Sequence, residues 1–596
     1  MSVGAATRSE RPLRRVDDPT RPPLDPAELS DTSAAIAPPA PMAKAARAFG
    51  DDYPPLQGHW LTRCTGVAYT LACVLYVPWL FSALNRHVPW MAWPFFVASC
   101  FTLGLMLVNV ANTWCRSVPE PHPLAHGDEP LVGIIVPCCG EPVPMILRTV
   151  ASILHQDWPR DRMVIVISDD GHDPELALAA QSWPVSYYSP PPRFSPGRDG
   201  AAKAGNLNAA FAVLVERHPE MRYVETRDCD DELGSNGFLR QTVGQLEHDD
   251  LLAFVQTVKE AQVSPGDPFN NRESMFYRGL MLSRNAANAT FPCGSGVVWR
   301  RDALEDIGLF PTWNLVEDMQ SGVEALRRGW RGTYLPIVGA IGQHSPEDLP
   351  NVYKQRGTWA IDTVRLVVWG KLAGLSLRQR AQFMELFLYY MHSFAVFIFV
   401  PCIIGSLFGY VPFRTDALGF LEHVFPVVLA NEAWLLAINR PYNDRRRRQR
   451  HPIRDLWRMR IMWTGMAPVY IRATLQALTE GPRRKPLYKI TRKETTARWY
   501  WQYTITQAIV VVIVLCAFAY ALSDGTVPSA IVLLPFLYWG GLYVAQFAGF
   551  VSRSWYGVSI PGAVMFRLRQ LSRTIGLPAA VGAVDRQLEQ SASPQR

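Results

Sequence analysis

Four short polar clusters occur in a fixed order in the middle of this chain, and their residue types could bind a metal ion and a sugar. In order they are Asp169-Asp170-Gly171, Asp228-Cys229-Asp230, Val316-Glu317-Asp318 and Gln355-Arg356-Gly357-Thr358-Trp359. Paired carboxylates can hold a divalent cation, a carboxylate in a desolvated cleft can accept a proton, and an indole ring offers a flat face to a sugar. The series therefore predicts an enzyme that joins sugars.

Asp228 and Asp230 form a D-x-D pair. If this segment is extended, both side chains point the same way and can reach one cation or its phosphate ligands. A bare D-x-D is common in loops, and its position before the segments 237–239 and 254–257 strengthens the assignment. Residues 223–227 are unusually polar for a preceding strand, so the alignment of the pair stays open.

The pair Asp169-Asp170 directly follows a predicted strand, where the chain must turn and expose polar groups. An ordinary Asp-Gly turn is the structural alternative to a binding role. Further along, Lys203 opens the run K-A-G-N, in which the lysine could face a diphosphate and Gly205 would allow close backbone approach.

The elements that must position these residues are strands and helices in alternation. Residues 131–136 and 163–167 predict buried parallel strands, and residues 144–156 predict the crossover helix between them. Strands that end in polar clusters indicate a doubly wound α/β sheet with ligands at the carboxyl ends of the strands. A nucleotide-sugar-binding fold fits this outline.

Membrane segments flank this polar region, in a chain that is 48% hydrophobic and contains 19 Trp. Six stretches approach the 20 or so apolar residues that a helix needs to cross a bilayer. They cover approximately residues 65–84, 91–110, 386–411, 420–438, 504–522 and 529–550. The positive-inside rule places both termini and the central region in the cytosol, and the basic run at 445–450 is more typical of a loop facing anionic lipid than of a nucleic-acid site.

Over about residues 60–555 the chain resembles processive family 2 glycosyltransferases, most closely those of the bacterial cellulose synthase type. The motifs above carry the resemblance, together with Arg327-Arg328-Gly329-Trp330 and the segment at 488–493, which resembles a gating loop. The resemblance implies a GT-A-like cytosolic domain inserted in a membrane domain of about six transmembrane helices. It also implies an Mg²⁺ or Mn²⁺ cofactor.

The same resemblance implies a role for each motif. Asp318, beside Glu317, corresponds to the general base, Asp228 and Asp230 to the metal ligands, and Trp359 and Cys293 to acceptor contacts. Residues expected to contact the donor are Glu141, Asp169, Asp170, Lys203, Gln355, Arg356, Thr491 and Lys493. The chain departs from the family at Thr358, where arginine is expected, and at residues 137–140 of the nucleotide loop. Either Arg356 or another cation replaces the missing guanidinium, or the site differs in donor geometry.

These features divide the chain into successive parts. They are a disordered tail (1–58), membrane helices one and two (59–115), the cytosolic glycosyltransferase domain (116–370), membrane helices three and four (371–440), an interfacial helix with the gating loop (441–499), membrane helices five and six (500–551), and a cytosolic tail (552–596). The interfacial helix is expected at 455–478, along the membrane surface.

The expected function is inverting, metal-dependent polymerisation of a β-linked polysaccharide, a β-glucan made from UDP-glucose, with translocation across the inner or plasma membrane. Expected partners are the UDP-sugar, the growing polysaccharide, the lipid bilayer and an accessory or periplasmic export subunit, but no nucleic acid. The altered motifs leave open a synthase that uses UDP-N-acetylglucosamine, a single transfer to a lipid, or a translocation subunit with a degenerate catalytic module.

Overall fold

The computed structural model describes residues 59–193, 195, 198, 202–261, 269, 276–315, 317–342, 346, 348–370, 372–439, 452–482, 499–523 and 530–554. The predictions for both tails, for the basic run at 445–450 and for Val316, Thr491 and Lys493 fall outside the described residues.

An eight-stranded mixed sheet forms the centre of the polar region. Its strands are β1 (Val132–Cys138), β2 (Met163–Asp169), β3 (Ser186–Tyr188), β4 (Tyr223–Thr226), β5 (Asp231–Leu233), β6 (Leu252–Ala261), β7 (Val297–Arg300) and β8 (Arg331–Gly342). Their order in the sheet is β3-β2-β1-β4-β7-β6-β8-β5. The strands β5 and β7 run antiparallel to their neighbours, and all other pairings are parallel. The fold is therefore α/β as predicted, but its sheet is mixed rather than wholly parallel.

Two helices precede the sheet, α1 (His59–Ala83) and α2 (Pro89–Asn112), and they pack mainly on each other and on helices later in the chain. Other helices cover both faces of the sheet, and these are α3 (Val143–Ile153), α4 (Pro174–Ala180), α5 (Ala202–Arg217), α6 (Phe238–His248), α7 (Met281–Ala286), α8 (Arg301–Asp306) and α9 (Glu317–Arg327). Alternate residues of β1 pack on opposite sides: Ile134 and Val136 join one apolar cluster with α3, whereas Ile135 joins another with α5. Burial on both faces explains why the sequences of β1 and β2 are continuous apolar runs. The two predicted strands and the predicted crossover helix are confirmed as β1, β2 and α3.

The remaining helices are α10 (Leu349–Trp369), α11 (Leu377–Leu407), α12 (Phe425–Asn439, preceded by the π-helical turn Phe420–Val424), α13 (Pro452–Gly465), α14 (Ala467–Glu480), α15 (Ile505–Ser523) and α16 (Ala530–Val551). Five helical segments within the described ranges are long and apolar enough to cross a membrane: Trp60–Ala83, Pro89–Asn112, Leu377–Leu407, Phe420–Ile438 and Ile505–Ser523. The sixth predicted stretch coincides with α16, a helix of 22 residues without a charged side chain. A count of six crossings stays a prediction.

The predicted interfacial helix consists of two helices, α13 and α14. Pro468 lies in the first turn of α14, where its missing N–H breaks no hydrogen bond but prevents the preceding helix from continuing. Ile461 and Tyr470 are buried, because α13 packs on α16 and α14 packs on α10 and α11. The two helices thus connect the membrane helices with α10, which carries the Q-x-x-x-W motif.

Candidate active site

Three aspartates converge in a turn at the carboxyl edge of the sheet. The acid turn, residues 228–231, joins the end of β4 to the start of β5, and the N–H of Asp231 donates to the carbonyl of Asp228 at 3.0 Å. This segment is therefore a turn rather than the extended conformation considered for the D-x-D pair, because the chain must turn here to enter β5. One carboxylate oxygen each from Asp228, Asp230 and Asp231 nonetheless lies within 4.8 Å of the others.

Two lysines compensate the charge of the acid turn. Lys203, in the first turn of α5, places Nζ 2.6 Å from Asp228 Oδ1 and donates to the carbonyl of Gly294 at 3.0 Å. Lys259, near the end of β6, places Nζ 3.0 Å from Asp228 Oδ2 and 2.7 Å from Asp231 Oδ2. Burial raises the pKa of Asp228, but the two ammonium groups outweigh it and hold that pKa below its usual range.

Glu317 and Asp318 open helix α9 beside these lysines. Lys203 Nζ lies 3.4 Å from Glu317 Oε1, and a Cβ placed on Gly294 would be 3.1 Å from both Lys203 Nζ and Asp318 Oδ2. Gly294 has φ +79°, so glycine meets both the backbone requirement and the tight space. Burial and the negative charge of Glu317 raise the pKa of Asp318 to about 7, against the opposing effect of Lys203. Such a carboxylate can accept a proton near neutral pH.

The acid turn also fits a divalent cation. The Asp231 carboxylate is buried: Oδ2 is paired with Lys259 at 2.7 Å, and Oδ1 accepts no hydrogen bond within the described part of the chain. Carboxylate oxygens are the ligands preferred by Mg²⁺ and Mn²⁺. Asp228 and Asp230, the predicted ligands, and Asp231, which the sequence did not single out, are the residues that would hold the ion.

Asp170 and Glu141 lie at the ends of β2 and β1 and belong to a second polar group. Arg193 Nε lies 2.6 Å from Asp170 Oδ2, and Arg198 forms a buried ion pair with the other oxygen of this carboxylate. Arg193 also donates to the Cys139 sulfur at 2.7 Å, while the N–H of Cys139 donates to Glu141 Oε2 at 2.6 Å. The structure thus brings two predicted donor-binding residues into one polar group, and their contact with a nucleotide stays a prediction.

Asp169 is fully buried, and its carboxylate shapes the loop after β2. Its oxygens accept hydrogen bonds from the N–H groups of Gly171 and Asp173 at 2.8 and 2.6 Å, and from the Tyr187 hydroxyl at 2.9 Å. A buried carboxylate is stable only when hydrogen-bond donors replace the water that it loses. A direct contact of Asp169 with the nucleotide remains a prediction.

The Q-x-x-x-W motif lies on α10, which packs mainly against α11 and α14. The guanidinium of Arg356 lies over the ring of Trp359, 5.5 Å from its centroid, and Gln355 is partly exposed. Thr358 donates to the Lys354 carbonyl at 2.8 Å, a bond within the helix that leaves no charge in the place of the missing arginine. The donor role of Gln355 and Arg356 and the acceptor role of Trp359 stay predictions.

Comparison with known sequences shows which family this part of the chain matches. Residues 130–361 match the family model described as "Glycosyltransferase like family 2". Residues 130–361 form a family 2 glycosyltransferase domain. The domain contains all eight strands, the acid turn and Asp318, so the predicted GT-A-like fold class is confirmed.

Individual relatives extend this similarity beyond the glycosyltransferase domain. Cellulose synthase 1 of Komagataeibacter xylinus is 30% identical over 421 residues, which are 67% of this chain and 25% of that protein. The cellulose synthase catalytic subunit [UDP-forming] of Xanthomonas axonopodis pv. citri (strain 306) is 30% identical over 290 residues, 46% of this chain and 37% of that protein. The chain thus spans between a quarter and two fifths of these relatives. A solved structure, mannosyltransferase PcManGT from Pyrobaculum calidifontis in complex with GDP-Man and Mn²⁺, is 20% identical over 65% of this chain and 99% of that one, with a TM-score of 0.45.

These relatives and the five apolar helical segments indicate a membrane protein. Sequence reasoning missed four residues of the glycosyltransferase domain: Asp231, a member of the acid turn, and Lys259, Arg193 and Arg198, which form ion pairs with its aspartates. One signal was available, because Lys259 is the only basic residue of an otherwise apolar or neutral stretch at 252–259. The two arginines lie in a loop whose path the sequence does not reveal.

Proposed function

We propose that this chain is a membrane-bound, inverting glycosyltransferase that extends a β-linked glucan from UDP-glucose and moves the product across the membrane. One observation carries the proposal: Asp318, with a pKa of about 7, lies beside Lys203 and the acid turn in a family 2 glycosyltransferase domain. A proton acceptor, a cation and a cluster of metal-binding carboxylates are the groups that sugar transfer from a nucleoside diphosphate requires.

In the proposed reaction, the carboxylate of Asp318 accepts the proton of an acceptor hydroxyl. The oxygen forms a bond to the anomeric carbon while the bond from that carbon to the diphosphate oxygen breaks, so the configuration inverts and the nucleoside diphosphate leaves. In this proposal Lys203 and Lys259, whose ammonium groups both contact Asp228, supply positive charge to the departing diphosphate. A divalent cation, when bound at the acid turn, supplies further neutralisation of the diphosphate charge.

The relatives named as cellulose synthases support UDP-glucose as the donor and a polysaccharide as the acceptor. The membrane helices that flank the domain support transfer on the cytosolic side and export of the growing chain through the bilayer. The altered position Thr358 and the stacking of Arg356 on Trp359 make the linkage of the product the property most open to variation. An accessory export subunit belongs to this proposal as a partner.

The test is synthesis of polymer from radiolabelled UDP-glucose by purified protein in lipid, with Mg²⁺ or Mn²⁺ and with a chelator. Asp318→Asn should lower the rate roughly a hundredfold to ten-thousandfold, the range that general-base catalysis contributes, while UDP binding persists. Glu324→Gln is the matched control, because Glu324 lies on the same helix but pairs with Arg327. Digestion of the product with linkage-specific glucanases identifies the polymer.

Polymer synthesis by Asp318→Asn at the rate of the unaltered protein would refute the assignment of the base. Activity that a chelator leaves intact would refute the metal requirement. Transfer from UDP-N-acetylglucosamine in preference to UDP-glucose would replace the proposed donor.

A further inference from the structure

Glu225 and Arg227 form an ion pair with fully buried side chains immediately before the acid turn. Arg227 Nε lies 2.6 Å from Glu225 Oε1. These residues account for the unusual polarity of residues 223–227, which interrupts a strand that is otherwise packed on both faces. Removing two charges from water is costly, so a buried pair of this kind does not by itself stabilise a fold.

The guanidinium of Arg227 connects both ends of the acid turn to the sheet. One of its N–H groups reaches the carbonyl of Glu232, just after the turn, at 3.3 Å, and the carbonyl of Gly339 in β8 at 3.0 Å. Its Cζ atom lies over the ring of Phe238, 5.2 Å from the centroid. Because Arg227 itself precedes Asp228, a single side chain fixes where the turn begins, where it ends and how far it lies from β8.

Glu225 holds this guanidinium in place. Its backbone is fixed by pairing with Val298 of β7, and Gln156 donates to its second carboxylate oxygen at 3.4 Å. The carboxylate therefore sets the orientation of Arg227, and through that side chain it acts on the acid turn.

We infer that Glu225 and Arg227 are positioning residues that set the spacing of Asp228, Asp230 and Asp231, and hence the affinity of the acid turn for a divalent cation. The effect depends on the two carbonyl contacts of the guanidinium as well as on its charge. This inference rests on the proposed function, in which the acid turn binds the cation, and it adds residues that touch neither the cation nor the substrate.

The test compares Mn²⁺ binding, in the presence of UDP, by electron paramagnetic resonance in the full-length protein. The variants are Arg227→Lys, which keeps the charge but loses the fork of donors, and the double variant Glu225→Leu/Arg227→Met, which replaces the pair with apolar side chains of similar size. Both should weaken Mn²⁺ binding roughly tenfold to a hundredfold, the range for residues that orient metal ligands. The double variant should melt close to the unaltered protein, because it leaves no unpaired buried charge.

Arg300→Met is the matched control. Arg300 is also buried in the sheet and donates to the carbonyls of Leu252 and Leu246, away from the acid turn. Its loss should lower the melting temperature and leave Mn²⁺ affinity unchanged, which separates a general loss of stability from a loss of positioning. A folded double variant or Arg227→Lys variant with the Mn²⁺ affinity of the unaltered protein would overturn the inference.

Hydrogen exchange provides a second readout that needs no metal. The N–H of Asp231 bonds within the turn, and the N–H of Leu233 donates to Ser152 Oγ at 2.8 Å. In Arg227→Lys both amides should exchange faster than in the unaltered protein, whereas unchanged exchange would overturn the inference. If the unaltered protein binds no Mn²⁺, the metal role in the proposed function fails, and exchange at these amides still decides whether Arg227 orders the turn.

Discussion

Replacing Lys203 by Met should move the acid limb of the pH–rate profile to higher pH. Lys203 Nζ and Asp318 Oδ2 each lie 3.1 Å from the position that a Cβ on Gly294 would occupy, so they are at most about 6 Å apart. Opposite charges at that distance, in a medium of dielectric constant about 20, attract by about 2.8 kcal/mol. This energy corresponds to about two pKa units, of which solvent and a bound cation will screen a part.

The direction follows from the role of Asp318, which must be ionised to accept a proton. Burial and Glu317 raise its pKa to about 7, and Lys203 counteracts them, so removal of the ammonium raises the pKa further. The base is then protonated over more of the neutral range, and the rate rises only at higher pH. We expect the midpoint of the acid limb to move upward by one to two units, which is the calculated shift after screening.

The assay is the initial rate of transfer from saturating UDP-glucose across the neutral and alkaline range. Lys259→Met is the matched control. Lys259 contacts the other carboxylate oxygen of Asp228, but its second partner is Asp231, whereas the second partner of Lys203 is Glu317, the neighbour of Asp318. Both variants can lower the maximal rate, but only Lys203→Met should displace the midpoint strongly. An unmoved midpoint in Lys203→Met, or an equal displacement in both variants, would refute the reasoning about Asp318.

Three further predictions concern backbone, stability and metal. Gly294→Ala should lower activity about a hundredfold, because its Cβ would displace Asp318 and Lys203. The control is Gly308→Ala, because Gly308 has φ +82° and open space around it. Both variants should lose a similar amount of melting temperature but Gly308→Ala should keep full activity, and equal activities in the two variants would contradict this. Tyr187→Phe should cost about 1.5–3 kcal/mol of unfolding free energy, measured by denaturant titration, because buried Asp169 loses a donor; an unchanged midpoint would count against it. Asp231→Asn should weaken Mn²⁺ binding at least tenfold in a calorimetric titration, and unaltered affinity would remove Asp231 from the ligand set.

The sequence predicted the parts of the site that follow a local rule. Buried parallel strands read as continuous apolar runs, so β1, β2 and α3 were found within a few residues of their ends. The carboxyl ends of such strands collect polar groups, and the chain indeed brings Lys203, Asp228 and Asp318 together as expected.

Other features depended on pairings between distant segments. The antiparallel strands β5 and β7 are only three and four residues long, too short for a clear alternation of apolar and polar side chains. The turn that replaces the extended D-x-D arises because Asp231 pairs with Gly342 at the end of β8. Lys259 joined the site through the alignment of β6 beside β8, which local sequence does not encode.

The sequence by itself determined the kind of chemistry, because the types and order of its carboxylates, lysine and tryptophan are written directly in the chain. It also determined the apolar segments, since hydropathy over the length of a membrane span is a local property. Only the tertiary structure decided which charges meet. The pKa of Asp318 depends on burial and on Lys203, more than a hundred residues away, and the spacing of the acid turn depends on Arg227 reaching β8. Electrostatic interaction varies with distance and dielectric environment, and folding alone sets both.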